Sequence, residues 1–240
     1  MQEIEGIVIR NTKFRDNDMM VNVLTCNGYV SFLARGVLKL QSKNSPSVQL
    51  MNKSLFQIMK CKEGNSLKTG LLIRNIYNGD QNLEKLLCIN VLTEITEKLI
   101  ITEEDAINIY PTLDLIQDKL SMNDINCLDL ALRYVCQLLK IIGYGLTIDK
   151  CQKCHQIGKI KGFSYKNGLF TCSTCFSPLN DISCSSQLIC LLKSCFDSVE
   201  CSDNLTYSRE TYKEAFNLLE KFIEYNLNIN LISIKMIESI

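Results

Sequence analysis

Histidine is almost missing from this sequence. His155 is the only one in 240 residues, which removes the histidine-rich ligand sets of most catalytic zinc sites. The deaminase pattern H-x-E is excluded as well, because Gln156-Ile157 follow that histidine. Paired acids, a nucleophile–base constellation and a phosphate-binding loop are also lacking, so the chain is expected not to be an enzyme. No apolar run approaches the roughly eighteen residues that a membrane span needs. The opening Met-Gln-Glu-Ile-Glu puts two acids where a signal peptide carries positive charge. A cytoplasmic protein without a membrane partner is the expectation. Net charge is missing too: 26 Lys and Arg balance 26 Asp and Glu.

Cysteine, by contrast, is abundant, with thirteen residues. Four of them form two pairs, Cys151-Gln-Lys-Cys154 and Cys172-Ser-Thr-Cys175, separated by seventeen residues. This is the spacing of a four-thiolate zinc ribbon. Each CxxC turn aims two sulfurs at one point, and the spacer must double back to bring the second pair to the first. Phe163–Lys166 and Leu169–Thr171 flank Asn167-Gly168, a dipeptide suited to a tight hairpin turn. One structural zinc held by Cys151, Cys154, Cys172 and Cys175 is therefore expected. Four thiolates fill the coordination shell and leave no position for chemistry. Cys151 to His155 also spells C-x-x-C-H, a haem attachment pattern, but haem leaves the second pair unexplained and requires export. His155 in place of one thiolate stays open as a variant. The other nine cysteines read as small buried hydrophobes in a reducing compartment.

With 46% hydrophobic residues, the chain can bury a substantial core, and two domains are expected. Residues 1–79 read as an all-β unit of about five short strands. They are Ile4–Phe14, Met19–Thr25, Tyr29–Val37, Leu55–Lys62 and Leu67–Tyr77, with turns at Asn27-Gly28 and Glu63–Ser66. A closed barrel is the economical arrangement, since it leaves no exposed edge, and the OB-fold is a common five-stranded form. Phe14, Tyr29, Phe32 and Phe56 lie among Arg10, Arg15, Arg35, Lys39 and Lys43, the ingredients of a single-strand site. Alternation along Tyr29–Arg35 assigns Phe32 to the core.

Residues 80–240 switch to helical periodicity. Asp80 is placed to cap a helix ending near Ile101, and Thr102 to cap one running to Leu120, kinked or split at Pro111. A third helix spans Asn123 to Ile142, with Leu128, Leu132, Val135, Leu139 and Ile142 on one face. The ribbon, at about 150–178, is inserted before helices at Ser185–Phe196, Ser208–Tyr225 and Leu231–Ile240. The fold class is α+β: a five-stranded OB-fold barrel, then an all-α domain with an inserted zinc ribbon. Residues 1–79 hold eleven cations against five acids, and the remainder fifteen against twenty-one. Either the first domain meets a polyanion or the split is ordinary scatter.

Beyond these readings, the order of small motifs resembles the RecO family of bacterial recombination mediators. The pieces at the start are Glu5–Arg10, Asp16 and Asp18, Val21–Thr25, Gly28 and Ala34-Arg-Gly36. Leu132-Arg133, Leu138-Leu139 and Gly143-Tyr144 then lead into Cys151-x-x-Cys154, Phe163-Ser164, Gly168 and Cys172-x-x-Cys175, and Phe222–Tyr225 closes the pattern. The resemblance implies a non-enzymatic protein that binds single- and double-stranded DNA and anneals strands. It implies work with RecR, and indirectly RecA, on DNA covered by single-strand-binding protein. Nucleic-acid contacts fall on Arg35, Lys39, Lys43 and Arg10. Arg133 becomes the candidate for the acidic tail of single-strand-binding protein, with an intradomain salt bridge as the alternative. The chain departs from the family where Val37–Lys43 keeps only two cations and where Asn228–Lys235 is not basic. A different function class, a zinc-stabilised protein adaptor that touches no nucleic acid, stays open.

Overall fold

Period-two burial marks the second, third and fourth strands, while Gly6 to Ile9 of the first are buried in a row. Val21 and Val23, Phe32 and Ala34, then Phe56 and Ile58 alternate with residues that point outward, and all six are buried. A computed structural model describes residues 1–62, 64–77, 83–122, 125–200 and 206–238. The chain forms two units, Met1–Cys127 and Leu128–Ile240.

In the first unit, β1 (Gln2–Lys13), β2 (Met19–Thr25), β3 (Gly28–Ala34), β4 (Lys53–Cys61) and β5 (Gly64–Arg74) close a barrel in the order β1-β2-β3-β5-β4. All neighbours are antiparallel except β3 and β5, which meet in parallel at Leu33↔Ser66. The expected OB-type barrel is present. Its β2–β3 hairpin is tighter than the Asn27-Gly28 reading: Thr25 pairs with Gly28, so Cys26-Asn27 make the turn. Thr25 Oγ1 accepts from Asn27 N at 3.1 Å and donates to Gly28 O at 2.8 Å. Gly28 takes the positive φ, 102°, which a side chain would resist. β3 stops at Ala34, and Gly36 to Gln49 becomes a loop of successive turns that includes a short 3₁₀ turn at Pro46–Val48.

Two helices belong to this unit: α1 (Leu83–Leu99) packs on β1, and α2 (Glu103–Leu120) on β2 and β3. Thr102 caps α2, its Oγ1 accepting from Asp105 N at 3.1 Å as expected. Pro111 does not split α2. It lies on the exposed face, so the Ile107 carbonyl it leaves unpaired can take water, while Ile109, Leu113 and Ile116 hold the helix to the core. The expected caps and turn residues Asp80, Asn123 and Glu63 lie outside the described residues.

The second unit is built around α3 (Cys127–Ile141), most of which belongs to it. This helix is buried nearly all round rather than on one face: Leu130, Ala131 and Tyr134 are covered as fully as Leu128, Leu132 and Val135. Strands β6 (Ile160–Ser164), β7 (Leu169–Cys172) and β8 (Ile182–Ser183) form the ribbon, in the order β7-β6-β8. Helices α4 (Ser186–Asp197), α5 (Arg209–Leu227) and α6 (Ile232–Glu238) complete the unit. Ser185 and Ser208 cap α4 and α5, and Asn228 ends α5 in the left-handed region at φ 55°.

Candidate metal centre and nucleic-acid interface

The ribbon brings together the four cysteines that the sequence paired. Their sulfurs all lie within 4.8 Å of one another, and Cys154 Sγ and Cys172 Sγ are 3.8 Å apart. Metal–sulfur bonds of about 2.3 Å in a tetrahedron give an edge of about 3.8 Å, so the donor set fits a four-coordinate ion. Each knuckle is closed by its own backbone. His155 N donates to Cys151 O at 2.8 Å, while Cys175 N and Phe176 N donate to Cys172 O at 3.1 and 2.9 Å. The two halves are locked together by Gln152, whose N donates to Phe170 O at 3.1 Å and whose Oε1 accepts from Phe170 N at 3.0 Å.

These N–H groups prepare the sulfurs for the charged form. Burial pushes the Cys151 thiol up, but donation from the Cys154, Cys172 and Lys153 backbones outweighs it and brings the pKa down to about 6. Cys172 is lowered chiefly by the Cys175 N–H. Cys175 is held up at about 12, first by its hydrogen bond with Cys154. His155 is not in the cluster; it sits exposed at φ 59° and turns the chain away. The Asn167-Gly168 hairpin is looser than expected. Ser164 pairs with Leu169, so Tyr165 to Gly168 form a four-residue loop. A Cβ on Gly168 would come within 2.7 Å of Phe222 Cε2, and Tyr165 stacks edge-on against Phe163 at 5.7 Å.

The sequence missed Asp181. Its buried carboxylate accepts from Thr171 Oγ1 at 3.1 Å and Ser177 N at 2.9 Å, and Lys153 Nζ lies 3.6 Å away. It is the only acid between Asp149 and Asp197, which was the available signal. The cysteines outside the cluster divide: Cys88, Cys127, Cys136, Cys184 and Cys195 are buried as expected, but Cys26, Cys61 and Cys190 are exposed.

On the barrel, Arg35, Lys39 and Lys43 are all exposed on or beside the loop after β3. That loop is ordered: Gly36 N donates to Asp18 Oδ1 at 2.7 Å, Leu38 N to Asn17 O at 3.0 Å and Ser42 N to Lys39 O at 2.9 Å, with Val37 buried beneath. Arg10 differs from the other three. It pairs with Glu97 of α1, and its Nε donates to Thr12 Oγ1 at 3.3 Å. Phe32 is buried as assigned, with its ring 5.0 Å from Phe56. The exposed aromatic is Phe14, in the β1–β2 loop, with the Arg15 guanidinium 5.2 Å from its ring centre. Phe14, Arg15, Met20 and Arg35 line a cleft of about 290 Å³ that the β4–β5 hairpin borders through Cys61 and Asn65.

Arg133 faces inward. It is 1% exposed, and Nε donates to Asp129 Oδ2 at 2.7 Å. Its other nitrogens donate to Ser194 O, Ser198 O and Ser194 Oγ at 3.0 to 3.1 Å. Gln137 and Lys140, four and seven residues further along α3, donate to the Cys195 and Phe196 carbonyls. One face of α3 thereby satisfies the end of α4. The intradomain salt bridge is the alternative that this geometry realises, and it leaves the guanidinium no open face for a direct partner contact.

Comparison with known proteins also divides the chain in two. Residues 1–75 match the family model described as "Recombination protein O N terminal", and residues 80–233 match "Recombination protein O C terminal". The chain belongs to the RecO family. It is 28% identical over 234 residues to "DNA repair protein RecO" of Mycoplasma mycoides subsp. mycoides SC, covering 92% of this chain and 88% of the relative. Proteins of the same name from Mesoplasma florum, at 27% over 73% of this chain and 67% of the relative, and Bacillus cytotoxicus, at 29% over 71% and 69%, are also similar. The boundary between the two RecO models falls near residue 79, whereas the compact units divide at Cys127. No helix among the described residues is long and apolar enough to cross a membrane.

Proposed function

We propose that the protein is a DNA-binding recombination mediator of bacterial DNA repair. It binds single- and double-stranded DNA, anneals complementary strands and, with RecR, helps RecA onto DNA covered by single-strand-binding protein. The reading is carried by one observation: a RecO-family chain whose closed barrel has a cleft lined by the exposed Phe14 with Arg15 and Arg35, next to the loop that carries Lys39 and Lys43. OB-type barrels bind oligonucleotides beside the loops joining strands 1–2 and 4–5, and both of those connections border this cleft. Arg35, Lys39 and Lys43 are the phosphate contacts, with Arg15 beside Phe14 as a place for a base to stack. Arg10, already paired with Glu97, contributes less.

The metal is one zinc, held by Cys151, Cys154, Cys172 and Cys175, with a structural role because thiolates fill its shell. The residues carry no catalytic constellation, and the work is binding. It takes place in the cytoplasm, where the DNA is. Arg133 serves the tail of single-strand-binding protein by position, keeping α3 and α4 together, not by touch.

The adaptor reading has one observation in its favour. Counted by compact unit, Met1–Cys127 carries fourteen cations against fifteen acids and Leu128–Ile240 twelve against eleven, so neither is strongly basic. Titration of a labelled single strand across a salt series separates the two. A mediator loses affinity steeply as salt rises; an adaptor shows no salt-dependent binding at any concentration.

A further inference from the structure

The ribbon is a basic island. Residues 150–178 contain five lysines and no Asp or Glu, whereas the rest of the second unit holds seven cations against eleven acids. All five lysines are exposed. A zinc ion with four thiolates carries a charge of about −2, and neutralising it explains part of this excess. Lys153 fills that role: it belongs to the first knuckle and reaches across to the second, donating to Cys175 O at 3.3 Å and facing Asp181. The remaining four do not. Lys150 precedes the first knuckle, Lys159 and Lys161 lie at and within β6, and Lys166 is at the hairpin loop. None of the four has an acidic partner within salt-bridge distance among the described residues.

The ribbon itself is fixed to the body of the second unit. Phe163 and Phe170 are buried, Phe163 meets Phe222 of α5 at 6.0 Å, and Asn226 Nδ2 donates to Tyr165 O at 3.0 Å. Lys221 of α5 lies 5.8 Å from the Tyr165 ring centre and adds a further cation beside the hairpin. Phe163 and Phe170 are thus consumed by packing, Ile157 and Leu179 stay exposed, and the exposed lysines stand on a rigid support. Unpaired like charges on one small surface repel each other, a cost that a polyanion removes.

We infer that the lysine face of the ribbon is a second nucleic-acid backbone site, separate from the barrel, so that one chain holds two strands. The inference rests on the DNA-binding reading above and adds to it: two sites on one chain raise the effective concentration of one strand near another, which annealing requires. The ligand is the phosphate backbone, without base selectivity, because lysines on a sheet face offer charge and no planar fork for a base edge.

The test uses the full-length, metal-loaded protein with Lys159→Gln, Lys161→Gln and Lys166→Gln combined. Binding to a fluorescent single strand is followed across a salt series. In parallel, protein bound to a bead-tethered strand is offered a second, non-complementary labelled strand. The triple variant is expected to flatten the salt slope by about two units, at about 0.7 per lost contact. It also loses capture of the second strand and keeps its bound metal. Arginine at the same three positions restores both readouts. An unchanged slope with unchanged capture overturns the ribbon site while leaving the barrel reading intact. Loss of binding to polyglutamate with an unchanged DNA slope overturns it in favour of an acidic protein partner. A wild-type protein with no salt-dependent DNA binding removes both readings together.

Discussion

The barrel and the ribbon are both small antiparallel sheets, yet they are held together by opposite means. Five strands enclose their own core, with Val21, Val23, Phe32, Phe56 and Ile58 filling it. The three ribbon strands are five, four and two residues long and cannot enclose anything. They borrow Phe222 from α5 and converge on four cysteine sulfurs that could hold a metal ion. A sheet too small to bury a core needs a cross-link, and a metal held by the four sulfurs would supply one. Replacing one ligand should therefore have the largest effect of any single change. Cys172→Ser is expected to take the metal content of the purified protein from one ion to none and to remove amide protection across 150–183 while leaving it in 1–77. Retained metal, or collapse of the barrel as well, would erase the contrast. The complementary change is Phe56→Ala, which opens the barrel core and should cost about 3–5 kcal/mol in chemical denaturation without altering metal content.

Charge is handled differently by the two sheets as well. Barrel cations are partly consumed within their own unit. Lys53, 9% exposed, sits 2.9 Å from both Glu5 and Asp114, and Arg74 reaches Asp114 and Asp118 at 3.1 Å and Gln117 at 2.7 Å. Of the ribbon's five lysines, Lys153 faces Asp181 at 3.6 Å, and the other four have no acid within salt-bridge distance among the described residues. Asp114→Ala should destabilise the protein by about 2 kcal/mol, less than the roughly 3–5 of a fully buried pair, because Glu5 still serves Lys53 and Asp114 is partly solvated. A smaller effect is expected at alkaline pH. Burial, reinforced by Glu214, raises the Cys184 thiol to about 12, and burial likewise raises the Tyr165 hydroxyl to about 12. Both stay neutral in the fold but ionise nearer 9 and 10 when unfolded. The stability they contribute is complete below pH 9 and disappears as pH climbs through 12, which melting across that range would reveal. Alkylation at pH 8 should label Cys26 and Cys61 and spare Cys184.

The four-cysteine cluster was legible because its geometry is written locally: two CxxC turns and a returning spacer suffice. The five strands were legible for the same reason, since alternation is a local pattern. What depended on distant packing was not. Nothing near Pro111 says that its freed carbonyl faces solvent, and nothing near Arg133 says that Ser194 and Ser198 will meet it from α4. The charge split at residue 79 was real in the sequence, but acids from α1 and α2 fold back onto Arg10, Lys53 and Arg74. A segment's net charge therefore overstated the charge left for a partner. Both Asn-Gly dipeptides marked hairpins correctly, while strand register shifted one turn and lengthened the other.

Arg35, Lys39 and Lys43 are among the barrel cations with no ion pair among the described residues, and the proposed DNA contact turns on them. The most direct measurement is the salt dependence of single-strand binding by Lys39→Gln/Lys43→Gln beside the wild type. Each backbone contact on a single strand contributes about 0.7 to the slope, so losing two should flatten it by roughly one to two units and weaken binding at low salt. A double variant with the wild-type slope and affinity would contradict the account and move the DNA path off the barrel.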